Sequence, residues 1–548
     1  MKALKSNIIE FERAARLRES SSYGGPPQSD LSSTSQLLAA GGDDRIQLDT
    51  ARGLNKYGCR AFPDADLAAF SSSTASVISE PAFAAADRLR QRLLIAITKE
   101  THAAVYTREL NRLRRELVEL CGVADLAGLE AVFAASGTDI HLIASQLAGG
   151  SDAAPTLAIM VDTVETGACV SSALSGRHFS TRTALGERAV QGAAMDGGST
   201  VDVASLPIRS EDGSLRSAAS IDAEVEAMVT AAVAMGRQVF LILADVSKTG
   251  IIAPSPGCVL ELRRRFPDEV DVLVDACQFR IAPSTLRAYL EHGFMVALTG
   301  SKFVTGPTFS GALLFPASAV RRFRGRLLPE ALRSYSARGD WSQSWPAAEG
   351  LKNVANFGLL LRWEAALQEL RAFRAVPETA VADFLQDFAE VVQERLSSDP
   401  AFAPLAIPRL DRSALTVTAG WDQIPTIFPF ILHHHQTQGG GRPLTREETT
   451  QVYRLLQADL TELPDFDGAG LNGGIASLRC QLGQPVACGR RGGIAVSALR
   501  LCASARLIVE ATAGNSAAVM ARALSALDKT ALLVKSLPAT QRRSRSDA

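Results

Sequence analysis

Residues 294–316 carry a single lysine, Lys302, between two apolar runs. The runs 294–298 and 312–315 are typical of buried strands, and the Thr, Ser and Gly residues between them are typical of a polar loop. A lysine at the end of a buried strand is costly unless it is paired or covalently used. A desolvated lysine with a lowered pKa forms an imine with an aldehyde. The segment therefore indicates either a covalently reactive lysine or an ordinary solvated one.

A second buried strand, residues 270–274, ends in Asp275 and is followed by Gln278. An acid at the carboxyl end of a parallel strand lies where open α/β sheets bind their ligands. Pyridoxal 5'-phosphate needs a carboxylate against its pyridinium nitrogen and a lysine on its aldehyde carbon. Asp275 and Lys302 occur in that order at consecutive strand ends. This arrangement favours the covalent role for Lys302 and predicts pyridoxal 5'-phosphate as the cofactor.

An apolar strand at residues 131–135 turns at Ser136, Gly137 and Thr138 directly into a predicted helix. The start of a helix presents free backbone amides and the positive end of the dipole, which together hold phosphate. An ordinary helix cap has the same composition. The aspartate and lysine strands downstream favour phosphate binding at this turn.

These motifs resemble those of the fold-type I pyridoxal phosphate enzymes, and most of all the class V aminotransferase and cysteine desulfurase branch. Asp275-Ala-Cys-Gln278 is similar to the Asp-x-x-Gln of that branch, and Ser301-Lys302 with Gly306-Pro307 is similar to its lysine loop. The resemblance extends over roughly residues 50–530 in the order of elements, with a few short motifs that are sharp. It implies that Thr299 and Ser301 add to the phosphate site, and it implies a homodimer.

Two further segments align with cofactor-binding positions of this family. Glu165 and Thr166 follow the strand at 156–161, where related enzymes often place a histidine on the pyridine ring. The histidine is replaced here, so the acid–base details are expected to differ. Ser247 follows a strand at 238–245 and resembles the family's Ser-x-x-Thr-Gly segment at the phenolic oxygen of the ring.

Three residues are candidates for substrate binding. Arg500 interrupts an apolar strand, and a guanidinium there suits a bidentate grip on a carboxylate, although a structural ion pair has the same signature. It resembles the family's carboxylate-binding arginine. Cys488, twelve residues earlier, is placed like the persulfide-forming cysteine of desulfurases, or is an ordinary loop cysteine. Trp341 lies in a polar loop as a candidate pocket residue, and in related dimers a loop near here reaches the active site of the partner.

Composition limits the classes of protein that fit. The chain has 548 residues, 47% hydrophobic and 21% charged, as expected for a soluble enzyme of two domains with tails. A net charge of -1 gives no support for nucleic-acid or membrane-surface binding. The eight cysteines are scattered without a Cys-x-x-Cys pair, which indicates a reducing compartment and no structural zinc.

Three consecutive histidines, 433–435, cannot share one face and do not indicate a metal site. The N-terminus has no apolar signal core and no run is long enough to span a membrane, so we expect a cytoplasmic protein.

The predicted fold class is α/β, with a mainly parallel seven-stranded sheet in a large domain and a smaller α+β domain at the C-terminal end. We expect a flexible N-terminal extension at 1–45 and a large cofactor-binding domain at 46–370. A small domain is expected at 371–535 and a disordered tail at 536–548.

The predicted function is a pyridoxal phosphate enzyme that acts on an amino acid through an external aldimine and a Cα carbanion. Aminotransfer and lyase or replacement chemistry remain open, and the N-terminal extension with the unusual Glu165 favours specialised biosynthesis. Other hypotheses are sulfur transfer through Cys488 and γ-elimination, γ-replacement or C–C bond formation on an activated amino acid such as S-adenosylmethionine. A non-catalytic ligand-binding descendant would have lost Lys302 or Asp275, and both are present. A nucleotide-binding protein would need a Gly-rich phosphate loop that the sequence lacks.

Overall fold

The computed structural model describes residues 31–71, 77–149, 156–199, 201–416, 420–434, 441–462 and 473–537. The strands are β1 (Leu67–Phe70), β2 (Glu130–Ala134), β3 (Thr156–Val161), β4 (Val201–Leu206), β5 (Gln238–Ala244), β6 (Val270–Ala276), β7 (Met295–Thr299), β8 (Gly311–Phe315), β9 (Phe402–Pro404), β10 (Ile427–Leu432), β11 (Arg479–Arg491) and β12 (Ile494–Cys502). The helices up to the lysine loop are α1 (Thr34–Leu38), α2 (Glu80–Ala96), α3 (His102–Leu120), α4 (Gly137–Ala148), α5 (Val170–Leu174), α6 (Ala218–Ala234), α7 (Pro256–Arg265) and α8 (Pro283–Glu291). The later helices are α9 (Ala317–Phe323), α10 (Phe357–Arg374), α11 (Glu378–Ser398), α12 (Arg446–Leu456), α13 (Gly473–Ser477), α14 (Ala505–Glu510) and α15 (Ser516–Ser536).

The large sheet has seven strands in the order β2-β8-β7-β6-β5-β3-β4, and β8 alone runs antiparallel to its neighbours. Strands β7 and β8 are buried along their whole length, as expected when both faces of a sheet are covered. Alternate residues of β8 enter two separate cores. Ala312 and Leu314 pack on one face, and Leu313 and Phe315 pack on the other. This architecture confirms the predicted mainly parallel seven-stranded sheet.

The parallel strands β3, β5, β6 and β7 bring their carboxyl ends to one edge of this sheet. Four loops leave the sheet at that edge. They begin after Val161, Ala244, Ala276 and Thr299. The side chains that we expect to bind the cofactor lie in these loops, in the last residues of β6 and β7 and at the start of α4, so the topology alone places them close together.

A second sheet of five strands, in the order β1-β11-β12-β10-β9, forms the core of the smaller domain. Strand β1 pairs in parallel with β11, so that Leu67 lies opposite Arg479. Residues 67–70 therefore belong to the sheet of the small domain, although they precede the large domain in the chain. The expected boundary at residue 371 thus separates only part of the smaller domain.

The expected flexible extension at 1–45 is wrong for residues 31–45. Ser33 caps helix α1 through a capping box with Gln36. The guanidinium of Arg362, which is fully buried on α10, donates to the carbonyl oxygens of Ala40 and Gly41. Burial of these carbonyls fixes the segment against the large domain. Residues 1–30 and most of the expected tail, 538–548, lie outside the described residues. Across the described ranges, no helix combines the length and the apolar character needed to cross a membrane.

Candidate active site

A cavity of about 250 Å³ lies at the carboxyl edge of the large sheet. All eleven residues expected to bind the cofactor line it. They are Ser136, Gly137, Thr138, Glu165, Thr166, Ser247, Asp275, Gln278, Thr299, Ser301 and Lys302. A small concave site with a few convergent polar groups is the usual form of a cofactor or substrate site.

The loop that carries Lys302 is closed on itself by backbone hydrogen bonds. The amide of Gly300 donates to the carbonyl oxygen of Ser310 at 2.9 Å, and the amide of Gly306 donates to that of Gly300 at 2.8 Å. A Cβ atom at Gly300 would lie 2.5 Å from the Cβ of Ala366 on α10, and one at Gly306 would lie 2.7 Å from it. The two glycines therefore let the loop rest directly on the helix, which holds Lys302 at the cavity wall.

Asp275, near the end of β6, faces His141 on α4. The Nε2 atom of His141 lies 3.5 Å from Oδ2 of Asp275, while its Nδ1 donates to the carbonyl oxygen of Gly137 at 2.7 Å. Burial by itself would raise the pKa of Asp275, but electrostatic attraction to His141 and Lys302 holds that pKa well below its usual range. Asp275 is therefore an ionised carboxylate on the cavity wall.

The start of α4 forms an anion cradle. Ser136 caps the helix, and its hydroxyl accepts from the amide of Asp139 at 3.3 Å. Arg45, from the N-terminal segment, donates to Oγ1 of Thr138 at 3.1 Å and to Oγ of Ser136 at 3.4 Å. Asp43 pairs with the same guanidinium at 2.5 Å. Helix amides, two hydroxyls and a guanidinium thus converge at one end of the cavity.

Glu165 holds together two of the loops around the cavity. Its carboxylate accepts from the hydroxyl of Ser247 at 2.9 Å and from the amide of Thr249 at 3.0 Å. Arg209 lies 3.1 Å from its Oε1 atom. Glu165 is therefore a buried carboxylate whose charge is balanced by an arginine.

The three residues expected to bind substrate do not line this cavity. Arg500 is completely buried, and its Nη1 and Nη2 donate to the carbonyl oxygens of Lys248 at 3.1 Å and Gln484 at 2.5 Å. Trp341 packs in the core 5.2 Å from the ring of Trp345. Cys488 is buried in the small domain, and burial raises the pKa of its thiol. Each side chain is enclosed by packing partners that lie far from it in the sequence.

Several residues at the cavity were not predicted as site residues. The sequence could have indicated His141 as a site residue, since it lies one helical turn after Gly137 and must share its face of α4. No sequence pattern could have indicated Arg45, because it follows a Ser-rich stretch that gives no helix or strand pattern. Lys56, Tyr57 and Cys169 also line the cavity.

The residues present fit pyridoxal phosphate. The anion cradle matches a phosphate, the carboxylate of Asp275 matches a pyridinium nitrogen, and the amine of Lys302 matches an aldehyde. Gln278 lines the same cavity, and its buried Oε1 has no hydrogen-bond partner among the described residues. A buried polar atom without a partner is costly unless a ligand satisfies it. Fold and cavity together define an α/β protein with a lysine, an ionised carboxylate and a hydroxyl-lined helix start at the sheet edge.

Solved structures of other proteins are similar to this chain over most of its length. The cysteine desulfurase CsdA from Escherichia coli is 13% identical with a TM-score of 0.49, and the match covers 85% of this chain and 94% of that one. Serine palmitoyltransferase from S. paucimobilis, solved with a bound PLP-myriocin aldimine, is 12% identical with a TM-score of 0.46, over 85% and 88%. Oryza sativa TDC, solved with PLP, is 13% identical with a TM-score of 0.44, over 84% and 83%.

No family model matches the chain, and no curated protein matches it. The assignment of a cofactor therefore rests on the cavity of this chain and the side chains that line it.

Proposed function

We propose that this chain is a fold-type I pyridoxal phosphate enzyme that acts on an amino acid. The observation that carries the proposal is the single cavity shared by Lys302, Asp275 and the start of α4. These groups supply an amine, a carboxylate and an anion cradle, which are the three attachments that this cofactor requires. A nucleotide or a simple anion would use the cradle alone and would leave the half-buried Asp275 without a role.

Each end of the cofactor is assigned to residues of this chain. Ser136, Thr138, Arg45 and the first amides of α4 hold the phosphate, with Thr299 and Ser301 beside them. Asp275, kept ionised by His141, holds a proton on the ring nitrogen. Lys302 holds the aldehyde carbon. When bound in this way, the cofactor supplies an electron sink for negative charge that develops on the Cα atom of the substrate.

Lys302 is also the acid–base residue of the proposed reaction. Its amine, when it is free, would take the proton from the Cα atom of the substrate and return a proton to the product. Glu165 is not available for this step, because Ser247, Thr249 and Arg209 engage its carboxylate. Proton transfer in the cavity therefore centres on Lys302.

Within this class we place the chain among the transferases or lyases, acting as a cytoplasmic homodimer on a small-molecule amino-acid substrate. Light scattering of the purified protein tests the dimer, and a mass of one chain would contradict it.

Sulfur transfer through Cys488 is not part of this proposal, since a buried thiol with a raised pKa is a poor nucleophile.

The absorbance spectrum of the purified protein with added pyridoxal phosphate tests the proposal. We expect a Schiff-base band in the near-ultraviolet to visible region, which is lost in Lys302→Ala and retained in Lys56→Ala. Lys56 is a suitable control because it is a second lysine on the same cavity. A wild-type protein that stays colourless in excess cofactor would contradict the proposal.

A further inference from the structure

Lys248 lies between Arg500 and the cavity. Lys248 is one of the residues that line the cavity, whereas Arg500 is not. The backbone carbonyl of Lys248 accepts a hydrogen bond from Nη1 of Arg500 at 3.1 Å. The arginine that interrupts β12 therefore lies behind the lysine as seen from the cavity.

The guanidinium of Arg500 is enclosed within the protein: the residue is fully buried, and its Nε has no hydrogen-bond partner among the described residues. Its two Nη groups donate to the carbonyl oxygens of Lys248 and Gln484, and both of these residues line the cavity. A bidentate grip on a substrate carboxylate would need both Nη groups, or one of them with Nε. With these contacts in place, Arg500 fixes the backbone of two cavity residues instead of facing the substrate.

The ammonium group of Lys248 keeps a donor for the cavity. Its Nζ donates to the carbonyl oxygens of Thr163 at 3.1 Å and Val164 at 3.0 Å, and a lysine has three N–H donors. In the part of the chain that the structure describes, no carboxylate lies within ion-pair distance of this Nζ. Glu165, on the neighbouring loop, is already paired with Arg209.

Two cations and two carboxylates act on Lys248. Arg500 and Lys302 lie within electrostatic reach and disfavour a second cation, while Glu165 and Asp162 favour it. Burial together with the two cations lowers the pKa of Lys248 to about 8. A buried cation without a counter-ion is costly, and a bound anion removes that cost.

We propose that Lys248 binds the carboxylate of the amino-acid substrate directly, and that Arg500 is a positioning residue that holds the backbone of Lys248. This inference rests on the proposed function, because it names the carboxylate site of the same cavity. The Lys248 ammonium group supplies the charge, and the Thr163 and Val164 carbonyl oxygens fix its direction.

The test compares a carboxylate with its neutral amide in the cofactor-loaded protein. Propanoate and propanamide have similar shapes, and neither titrates between pH 7 and about 9.5. Calorimetry measures both dissociation constants without turnover. We expect wild type at pH 7 to prefer propanoate at least about tenfold, as a charge-assisted hydrogen bond provides. Lys248→Met should lose this preference, and Lys248→Arg should keep it.

The pH profile separates Lys248 from Arg500. If the lysine is the contact, the preference of wild type for propanoate falls as pH rises through about 8, where Lys248 loses its proton. The preference of Lys248→Arg stays constant over the same range, since arginine remains charged. A preference that survives in Lys248→Met, or a wild-type preference independent of pH, would overturn the inference.

The Schiff-base band is recorded for each protein. It distinguishes a failure of this inference from a failure of the proposed function. A band in wild type with an unchanged preference in Lys248→Met overturns the role of Lys248 alone. A colourless wild type overturns the proposed function, and this inference with it. If Lys248→Met does not fold, the comparison of wild type with Lys248→Arg across pH still decides whether Lys248 binds the carboxylate.

Discussion

The charge of Asp275 depends on His141, which opposes the effect of burial more strongly than any other residue. We predict that His141→Leu raises the pKa of Asp275, because burial is then opposed mainly by Lys302 and Cys277. A carboxylate with a depressed pKa stays ionised until the pH falls through that low value. The variant should therefore lose its cofactor absorbance band at a higher pH than wild type during an acid titration. Superimposable titrations of the two proteins would show that His141 does not control Asp275.

Arg45 is the charged side chain at the phosphate end of the cavity. Because its guanidinium donates to both Ser136 and Thr138, we predict that Arg45→Met weakens cofactor binding about tenfold. Arg45→Lys should lose less, since it keeps the charge but not the fork of donors. Equilibrium dialysis of the cofactor measures both dissociation constants. Equal constants for wild type and Arg45→Met would exclude a phosphate contact.

The predicted cofactor residues were brought together correctly at one cavity, whereas the predicted substrate residues were not, for a physical reason. The carboxyl ends of parallel strands meet at one edge, so strand patterns alone brought Asp275 and Lys302 together. The surroundings of Arg500, Trp341 and Cys488 depend on how loops and the second domain pack, which no local pattern encodes. Arg500 has the sequence signature of a carboxylate-binding residue, yet it is fully buried and two of its N–H groups donate to the carbonyl oxygens of residues 248 and 484.

At the scale of elements, the lysine loop and helix α10 form one unit through the contact of Gly300 with Ala366. We predict that Gly300→Ala lowers the free energy of unfolding by about 1 to 3 kcal/mol, because its Cβ would lie 2.5 Å from that of Ala366. Ala366→Gly removes the obstacle, so the double variant should recover part of the loss. Urea unfolding of all four proteins gives the coupling energy. Strictly additive effects would contradict direct contact between loop and helix.

Strands were predicted closely because their apolar runs are bounded by polar loops. The run at 156–161 is the strand Thr156–Val161, and the run at 270–274 lies within Val270–Ala276. The segment 31–45 was misjudged because Ser-rich composition normally indicates disorder. The segment is held in place by residues that are distant in the sequence. Arg362 on α10 binds its carbonyl oxygens, and Ser180 and Thr181 donate hydrogen bonds to Asp44. Such long-range stabilisation has no local signature.

At the scale of the whole molecule, Arg412 and Asp245 join the two domains through a buried ion pair. Nε of Arg412 lies 2.8 Å from Oδ2 of Asp245, and Tyr289 donates to the same oxygen at 2.7 Å. Asp245 directly precedes the loop that carries Ser247 and Lys248. The pair therefore anchors one wall of the cavity to the smaller domain.

We predict that Arg412→Met lowers the free energy of unfolding by about 3 to 5 kcal/mol, because it leaves the Asp245 carboxylate buried without a counter-ion. Arg333→Met is the matched control, since it breaks an exposed pair with Glu330 and should change stability little. Denaturant unfolding monitored by tryptophan fluorescence measures both. Equal losses in the two variants would show that the buried pair has no special role.

Reduction of the cofactor-loaded protein with borohydride, followed by peptide mass spectrometry, tests the central claim most directly. Borohydride converts the imine between cofactor and lysine into a stable amine, so the labelled peptide identifies the lysine. Among the residues that the structure describes, three lysines line the cavity, Lys56, Lys248 and Lys302. We expect the mass of the reduced cofactor on Lys302 alone, and no label at this position after Lys302→Ala. Label on Lys248 or Lys56, or no label on any peptide, would contradict the proposed function.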